Sequence, residues 1–189
     1  MFLHGDLITL RPYEPSDASR IFAWVNNPAV THYMFTGQFP MTEAQVTEML
    51  THNSTERSIA FFTITDKKTG EAIGYVGLFD IHPTAHKAEM RILIGNIEYW
   101  GKGYGTQAVE LATYYGFDRL NLHRIFLGFT HVNDAAKGAY ERAGYVHEGV
   151  LRDDIFRNSR YYDTVRMGLL RDEYYEKKYP DHQKRFSVS

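Results

Sequence analysis

The 189-residue sequence contains no cysteine. This absence excludes disulfide bonds, thiolate metal sites and a cysteine nucleophile. No apolar run approaches the length of a membrane span, and the first residues do not join a basic stretch to an apolar one. A basic excess is also missing, since 21 basic residues face 23 acidic ones. We therefore expect a cytoplasmic protein that binds neither nucleic acid nor a membrane.

What remains is the composition of one packed domain. Hydrophobic residues make up 43% of the chain and aromatic residues 15%, and the length suits one domain better than two. We predict that residues 1–170 form this domain. Residues 171–189 form a charged tail that is either part of the same domain or loosely ordered.

Periodic patterns in the first half of the chain predict strands and two helices. Residues 7–12 alternate like a strand, and Ala18, Ile21, Phe22 and Val25 have the spacing of one helix face. Thr42 and Gln45 have the form of a capping box that begins a second helix. Three strand-like runs follow and predict an antiparallel meander: residues 59–65, 72–81 and 87–94.

The second half predicts a helix, a strand, a helix and two strands. A helical pattern runs from Ala108 to Tyr115, and residues 123–130 form an apolar central strand. A short helix follows from Asp134 to Ala143, with Asn133 or Asp134 as its cap. Strands near residues 145–151 and 163–170 flank a loop that contains "RNSR". The order predicts one α/β domain with a mixed sheet.

The segment "YWGKGYGT", residues 99–106, lies between the strand at 87–94 and the first of these helices. Glycines let a bulky anion approach the main chain, and a helix N-terminus favours phosphate. Lys102 is not followed by Ser or Thr, which excludes a P-loop, and Thr106 stands where a dinucleotide fingerprint needs its third glycine. Two alternatives remain at this point: a phosphate site of a different kind, or a tight turn needed only for packing.

Three linked segments carry a family resemblance. "AEMRILIG" precedes "EYWGKGYGTQAVELATYYGF", and "NLHRIFLGFTHVNDAAKGAYERAGYVHEGVLRDDIFRNSRYYDTVRM" follows it. Together they resemble the GNAT superfamily of acetyl-CoA-dependent N-acetyltransferases, in the branch of the ribosomal-protein N-terminal and spermidine/spermine acetyltransferases. The resemblance extends over nearly the whole chain, from "LITLRP" to "YYDTVRMGLL". It implies a mixed, mostly antiparallel sheet of about seven strands splayed into a V, with about four flanking helices.

The resemblance implies acetyl-CoA as cosubstrate and no metal. It assigns the pantetheine contacts to the strand residues Ile92, Leu93 and Ile94 and to Asn133, for which a helix cap is the alternative role. It assigns the pyrophosphate to the glycine segment. The family motif usually opens with Gln or Arg, and this chain has Trp100 there. The segment comprises Trp100, Gly101, Lys102, Gly103, Tyr104, Gly105 and Thr106.

Direct acetyl transfer needs a neutral amine and a stabilised leaving thiolate. Tyr140 matches the tyrosine that acts as general acid in relatives, and plain core packing among three alanines is the alternative. Glu89 is the candidate base, acting directly or through water. Its alternative is a surface pair with Arg91 two residues along the same strand face.

The acceptor site is expected where the first helices meet the strand-linking loops. Residues 30–41, here called the acceptor segment, supply Tyr33, Phe35 and Phe39 and contain no acidic residue. Asp80 and His82 are further candidates for substrate binding. His82 and His86 also have the spacing of a metal pair, but no third ligand is evident.

These observations predict an N-acetyltransferase that moves an acetyl group directly to a primary amine, on a protein N-terminus or a small molecule. A polyamine acetyltransferase is one alternative, although the spermidine enzymes have an acidic segment where this chain has none. A non-catalytic acyl-CoA sensor is the second alternative. The acceptor amine is the expected partner, and a homodimer is possible.

Overall fold

The computed structural model describes residues 2–34 and 36–189. The strands in chain order are β1 Leu3–His4, β2 Ile8–Arg11, β3 Ala60–Asp66, β4 Ala72–His82, β5 Lys87–Ile94, β6 Arg124–Thr130, β7 Val146–Arg157, β8 Arg160–Leu170 and β9 Ser187–Val188. The α-helices are α1 Ala18–Val25, α2 Pro28–Thr31, α3 Glu43–Thr55, α4 Tyr104–Asp118, α5 Asp134–Arg142, α6 Arg171–Lys177 and α7 Tyr179–Arg185.

All of these strands form one sheet in the order β7-β8-β6-β5-β4-β3-β2-β1-β9. Every neighbouring pair is antiparallel except β5 and β6, which are parallel. The mixed, mostly antiparallel sheet is therefore confirmed, but it has nine strands where about seven were expected. The added strands β1 and β9 have two residues each, too few to produce an alternating pattern.

The loop that contains "RNSR" is shorter than the predicted strands near residues 145–151 and 163–170 imply. β7 and β8 continue through it, and only Asn158 and Ser159 connect them. Both turn residues have positive φ, 51° and 62°, as a tight two-residue hairpin turn requires. The pattern was obscured because most of β7 is exposed and carries charged residues on both faces.

The described residues contain seven α-helices where about four were expected. The additional ones, α2, α6 and α7, are four to seven residues long and too short to show an apolar period. The tail from Arg171 consists of α6, α7 and β9, and Tyr174 and Phe186 join the main core. The division of the chain at residue 170 stays a prediction. No helix among residues 2–34 and 36–189 is long and apolar enough to span a bilayer.

Two helical layers cover the sheet. On one side α4, α5 and the C-terminal helices pack over most of the strands. On the other side α1 and α3 cover only the middle of the sheet, through contacts with Phe61, Tyr75, Phe79 and Leu93. α3 begins with the capping box that the sequence predicts, since Gln45 N–H donates to Thr42 Oγ1 over 3.2 Å and Thr42 N–H donates to Gln45 Oε1 over 2.8 Å.

A buried carboxylate joins the second layer to the sheet. Asp17, just before α1, accepts two hydrogen bonds from Arg11 of β2, at 2.7 and 2.8 Å. It also accepts hydrogen bonds from the Thr63 hydroxyl at 2.9 Å and the Glu14 N–H at 3.0 Å. Burial opposes ionisation, but these hydrogen bonds and the Arg11 charge outweigh it and lower the pKa of Asp17.

We expect Asp17→Ala to lower the free energy of unfolding by about 3 kcal/mol, because it leaves the Arg11 charge without its partner. The exposed pair Arg20–Glu71 is the control, and Glu71→Ala should cost less than about 1 kcal/mol. Denaturant unfolding measures both. Because folding lowers the pKa of Asp17, its contribution is complete above the ordinary value of 3.8 and is lost as pH falls below it. Equal effects of the two substitutions would contradict the anchoring role of Asp17.

Candidate active site

The central feature of the sheet is a gap between β5 and β6. The two strands form only three residue pairs, from Lys87 opposite Arg124 to Glu89 opposite Phe126. Beyond that point β5 stays paired with β4 as far as Ile94, and β6 stays paired with β8 as far as Thr130. The facing main-chain edges of β5 and β6 therefore have no strand partner along the arms of a V.

The residues predicted to contact pantetheine lie on the two arms. Ile92, Leu93 and Ile94 form the end of β5, past its last pair with β6. Asn133 follows the end of β6, where its side chain caps α5 by accepting a hydrogen bond from Ala136 N–H over 3.1 Å. The cap uses only the amide oxygen, so the NH2 group of Asn133 remains a donor for a ligand. The assignment of these contacts stays a prediction.

The glycine segment forms the start of α4. Gly103 is the N-cap of this 15-residue helix and has no side-chain cap. The first helical backbone hydrogen bond runs from Gln107 N–H to the Gly103 carbonyl. None of the backbone N–H groups at positions 101–106 has an acceptor among the described residues. Unpaired amides at the positive end of a helix form an anion site.

Packing does not account for the glycines of this segment. A Cβ atom at Gly101 would meet nothing within 4 Å, and at Gly105 it would meet only the Ile94 side chain at 3.6 Å, an ordinary contact. By contrast, a Cβ at Gly95 would overlap the ring of Trp24, with its nearest atom at 2.0 Å. Gly101 and Gly103 have positive φ, 71° and 87°, so the turn into α4 accounts for these two glycines. Gly105 has neither a positive φ nor a packing contact that requires glycine, and the open space beside it favours the phosphate alternative at that position.

Neighbouring side chains hold the glycine segment in place. The Tyr104 hydroxyl donates over 3.1 Å to Asp66, the last residue of β3. Burial and the Asp66 carboxylate raise the pKa of Tyr104. Trp100, which stands in place of the family's Gln or Arg, donates its indole N–H to the Ile94 carbonyl over 2.8 Å. Its polar atom is thus used within the protein, which leaves the main chain for the anion contacts. The assignment of the pyrophosphate to this segment stays a prediction.

Two cations lie beside the segment. Lys102 is exposed within it. Arg142 at the end of α5 donates to Thr106 Oγ1 over 3.4 Å. The sequence analysis missed Arg142 because nothing in the local pattern connects the last turn of α5 to the first turn of α4. A diphosphate on the backbone amides would have both positive charges within reach.

Tyr140 lies on α5 beside the β6 arm. Its ring packs against Phe129 of β6, with centroids 5.5 Å apart, and the residue keeps only 8% of its surface exposed. Its hydroxyl has no hydrogen-bond partner among the described residues. Burial raises the pKa of Tyr140 to about 12, so the hydroxyl is protonated at neutral pH. A protonated phenol without a protein partner is suited to donate a proton to a ligand.

Glu89 lies where the strands separate, on the opposite face of the sheet. Ala88 and Met90 point into the α4 core, while Leu93 packs under α1 and α3, so the alternation predicted for β5 is confirmed. Glu89 accepts from Arg91 Nε at 2.8 Å and Nη2 at 2.6 Å, and from Arg166 at 3.2 Å. It borders an open cavity of about 260 Å³ lined by Glu89, Arg124, Phe126, Leu127, Glu148, Arg166 and Met167.

The acid and base candidates therefore approach the gap from its two faces. Tyr140 belongs to the core on the α4 side. Glu89 lies opposite Phe126, whose side chain borders the cavity on the other side. A thioester held between the arms would have a proton donor on one face and a carboxylate on the other. The catalytic roles of Tyr140 and Glu89 stay predictions.

The structure does not gather all of the predicted acceptor residues into one wall. Tyr33 is 38% exposed, and its carbonyl accepts a hydrogen bond from Thr130 at the end of β6 over 2.9 Å. Phe39 is 80% exposed and extends into solvent. Phe35 lies outside the described residues. Asp80 is exposed and pairs with Arg91 over 3.2 Å, which connects it to Glu89.

His82 has a local structural role. Its Nδ1 accepts hydrogen bonds from the N–H groups of Thr84 and Ala85, at 3.3 and 3.0 Å, and so supports the turn between β4 and β5. Among residues 2–34 and 36–189, no three His, Asp or Glu side chains are grouped as metal ligands.

The fold and the parted strands define an acetyl-CoA-dependent acetyltransferase. Residues 8–146 match the acetyltransferase (GNAT) domain family. The spermidine N(1)-acetyltransferase of Escherichia coli K12 is 32% identical over 167 residues, which cover 88% of each protein. The chain therefore belongs to the GNAT acetyltransferase family. Acetyl-CoA is the acetyl donor, and the chain is an N-acetyltransferase.

Other relatives extend the comparison. The crystal structure of spermidine N-acetyltransferase from Vibrio cholerae in complex with CoA and spermine is 31% identical and superposes with a TM-score of 0.82. The match covers 89% of this chain and 98% of that one. The putative ribosomal N-acetyltransferase YdaF of Bacillus subtilis is 26% identical over 178 residues, which cover 88% of this chain and 93% of that protein. Both branches named by the sequence resemblance are thus represented.

We expect Gly105→Ala to separate coenzyme binding from folding. The new methyl group fits beside Ile94 and alanine is favoured in helices, so the melting temperature should stay unchanged or rise. Because a helical Cβ tilts toward the N-terminus of its helix, we expect the same methyl group to crowd a ligand on the first amides of α4 and to raise the Kd for coenzyme A about tenfold. Calorimetry measures the Kd. Gly149→Ala on β7, where a Cβ meets nothing within 4 Å, is the control and should bind like wild type. If Gly105→Ala bound coenzyme A as tightly as wild type does, the anion site predicted at the start of α4 would be contradicted.

Proposed function

We propose that this enzyme acetylates a primary amine of a polyamine of the spermidine and spermine class. The names of the relatives support this acceptor class, because a spermidine N(1)-acetyltransferase is 32% identical over most of both chains and a similar structure holds CoA and spermine. These comparisons favour the polyamine alternative over the protein N-terminus. The observation that carries the transfer chemistry is the position of Glu89, at the point where β5 and β6 part.

The proposed mechanism uses one group on each face of the gap. Bound acetyl-CoA supplies the acetyl thioester. Glu89 accepts a proton from the acceptor ammonium, directly or through water, so that the amine can attack. Arg91 and Arg166 orient the carboxylate. Tyr140, which is protonated at neutral pH, donates a proton toward the leaving sulfur.

A second candidate acceptor is an amine with a single positive charge, such as a protein N-terminus. The observation that favours it is that the carboxylates around Glu89 are paired with arginines. Asp80 and Glu89 share Arg91, and Glu148 is paired with Arg124. Because these carboxylates are paired with arginines and the acceptor segment contains no acidic residue, this part of the surface has little net attraction for a polycation.

An acceptor panel tests the two candidates. We expect spermidine and spermine to give a higher kcat/KM than propylamine or a short peptide with a free N-terminus, measured as thiol release from acetyl-CoA. A preference for propylamine or the peptide would favour the second candidate. Tight acetyl-CoA binding without turnover of any amine would overturn amine acetylation.

We expect Tyr140→Phe to lower kcat at least a hundredfold, the usual contribution of a positioned general acid. The Kd for acetyl-CoA and the melting temperature should change little, since the hydroxyl has no hydrogen-bond partner among the described residues. Steady-state kinetics with the best amine of the panel measures kcat.

Tyr145→Phe is the matched control for this substitution. Tyr145 is buried next to Tyr140, with ring centroids 6.3 Å apart, but its hydroxyl is hydrogen-bonded to Thr113 over 2.8 Å. Removing the Tyr145 hydroxyl should lower the free energy of unfolding by about 1 kcal/mol and leave kcat unchanged. If Tyr140→Phe had the kcat of wild type, Tyr140 would have no catalytic role and would serve only in core packing.

A further inference from the structure

An arginine from a distant hairpin holds the acceptor segment. Arg157 is the last residue of β7, next to the two-residue turn. Its Nη2 donates to the Thr31 carbonyl over 2.9 Å and to Thr31 Oγ1 over 3.2 Å. Its Nη1 donates to the Thr36 carbonyl over 3.4 Å. One guanidinium therefore bridges the end of α2 and the loop that follows it.

The Thr31 carbonyl has two donors. It lies at the C-terminus of α2, where the last carbonyls of a helix have no partner within the helix, and it accepts hydrogen bonds from Arg157 and from Met34 N–H, the latter over 3.0 Å. Thr31 is also buried, with 2% of its surface exposed, so water does not readily replace the arginine. A hydrogen bond from a charged donor to a buried carbonyl contributes more than a neutral one.

Other contacts fix the remaining parts of the segment. The Thr130 hydroxyl at the end of β6 donates to the Tyr33 carbonyl over 2.9 Å. Asn26, which follows α1, exchanges two hydrogen bonds of 3.0 Å with the backbone of Met41. The C-terminal end of the acceptor segment is thus joined to α1. Tyr33 is joined to the β6 arm of the V. Arg157 provides the connection to the β7–β8 hairpin.

We propose that Arg157 is a positioning residue for the acceptor amine. By fixing Thr31 and Thr36 against the β7–β8 hairpin, it sets the position of Tyr33 beside the open end of the V. This inference rests on the proposed function, because it takes the acceptor segment as part of the amine site. Since the glycine segment of the coenzyme site lies on other elements, Arg157 should affect the amine and not acetyl-CoA.

Arg157→Met removes the donors and keeps most of the aliphatic side chain. We expect the KM for spermidine, or for the best amine of the panel, to rise about tenfold, in line with the loss of charged hydrogen bonds. The KM for acetyl-CoA should stay unchanged. Arg157→Lys keeps the charge but cannot bridge both carbonyls, and we expect an intermediate KM. Arg160→Met is the control, because Arg160 bonds to Tyr162 within its own hairpin.

Hydrogen exchange tests the contact separately from catalysis. The amides of residues 31–34 and 36–38 should exchange faster in Arg157→Met than in wild type or in Arg160→Met. An unchanged amine KM, or equal increases in the KM values for both substrates, would overturn the positioning role. If these amides exchanged at the same rate in Arg157→Met as in wild type, the tether, meaning the contact of Arg157 with Thr31 and Thr36, would itself be overturned. If wild type acetylates no amine at all, the proposed function fails and the positioning role fails with it, while the exchange result still decides whether the tether exists.

Discussion

The parting of β5 and β6 after three residue pairs is the constraint on which the site depends. A sheet normally pairs its main-chain groups, and leaving them unpaired in a protein interior is costly unless a ligand or water replaces the partner. Here each arm keeps its other neighbour, β4 for β5 and β8 for β6, so the sheet remains continuous on both sides of the gap. The V is therefore a stable feature of the fold that offers backbone hydrogen bonds to an extended ligand.

The helical layer over the acceptor side is fixed to both arms of the V. Trp24 of α1 packs on Gly95, directly after β5, at a distance that leaves no room for a side chain there. Thr130 at the end of β6 holds the backbone of Tyr33. The same layer therefore joins the acceptor segment to each side of the gap.

Local patterns explain which parts could be predicted from the sequence. The long strands, the capped helices and the glycine segment each depend on residues that are neighbours in the chain. The two-residue strands β1 and β9 depend on pairing: β1 lies between β2 and β9, and β9 pairs with β1 although about 180 residues separate them in the chain. The partners of Arg157 are more than 100 residues away, and the indole of Trp100 bonds to a carbonyl, which no residue pattern reveals. Long-range contacts of these kinds leave no periodic signal.

The charges near the gap imply that acceptor selection depends on geometry more than on attraction. Arg91 lies over the ring of Phe79, 4.7 Å from its centroid, and bonds to both Asp80 and Glu89. Two carboxylates and an aromatic face are also what an alkylammonium group prefers. An incoming ammonium would therefore exchange with a cation already in place, and the net electrostatic gain of binding would be small. Discrimination among amines then depends on how the acceptor segment and the hairpin shape the entrance.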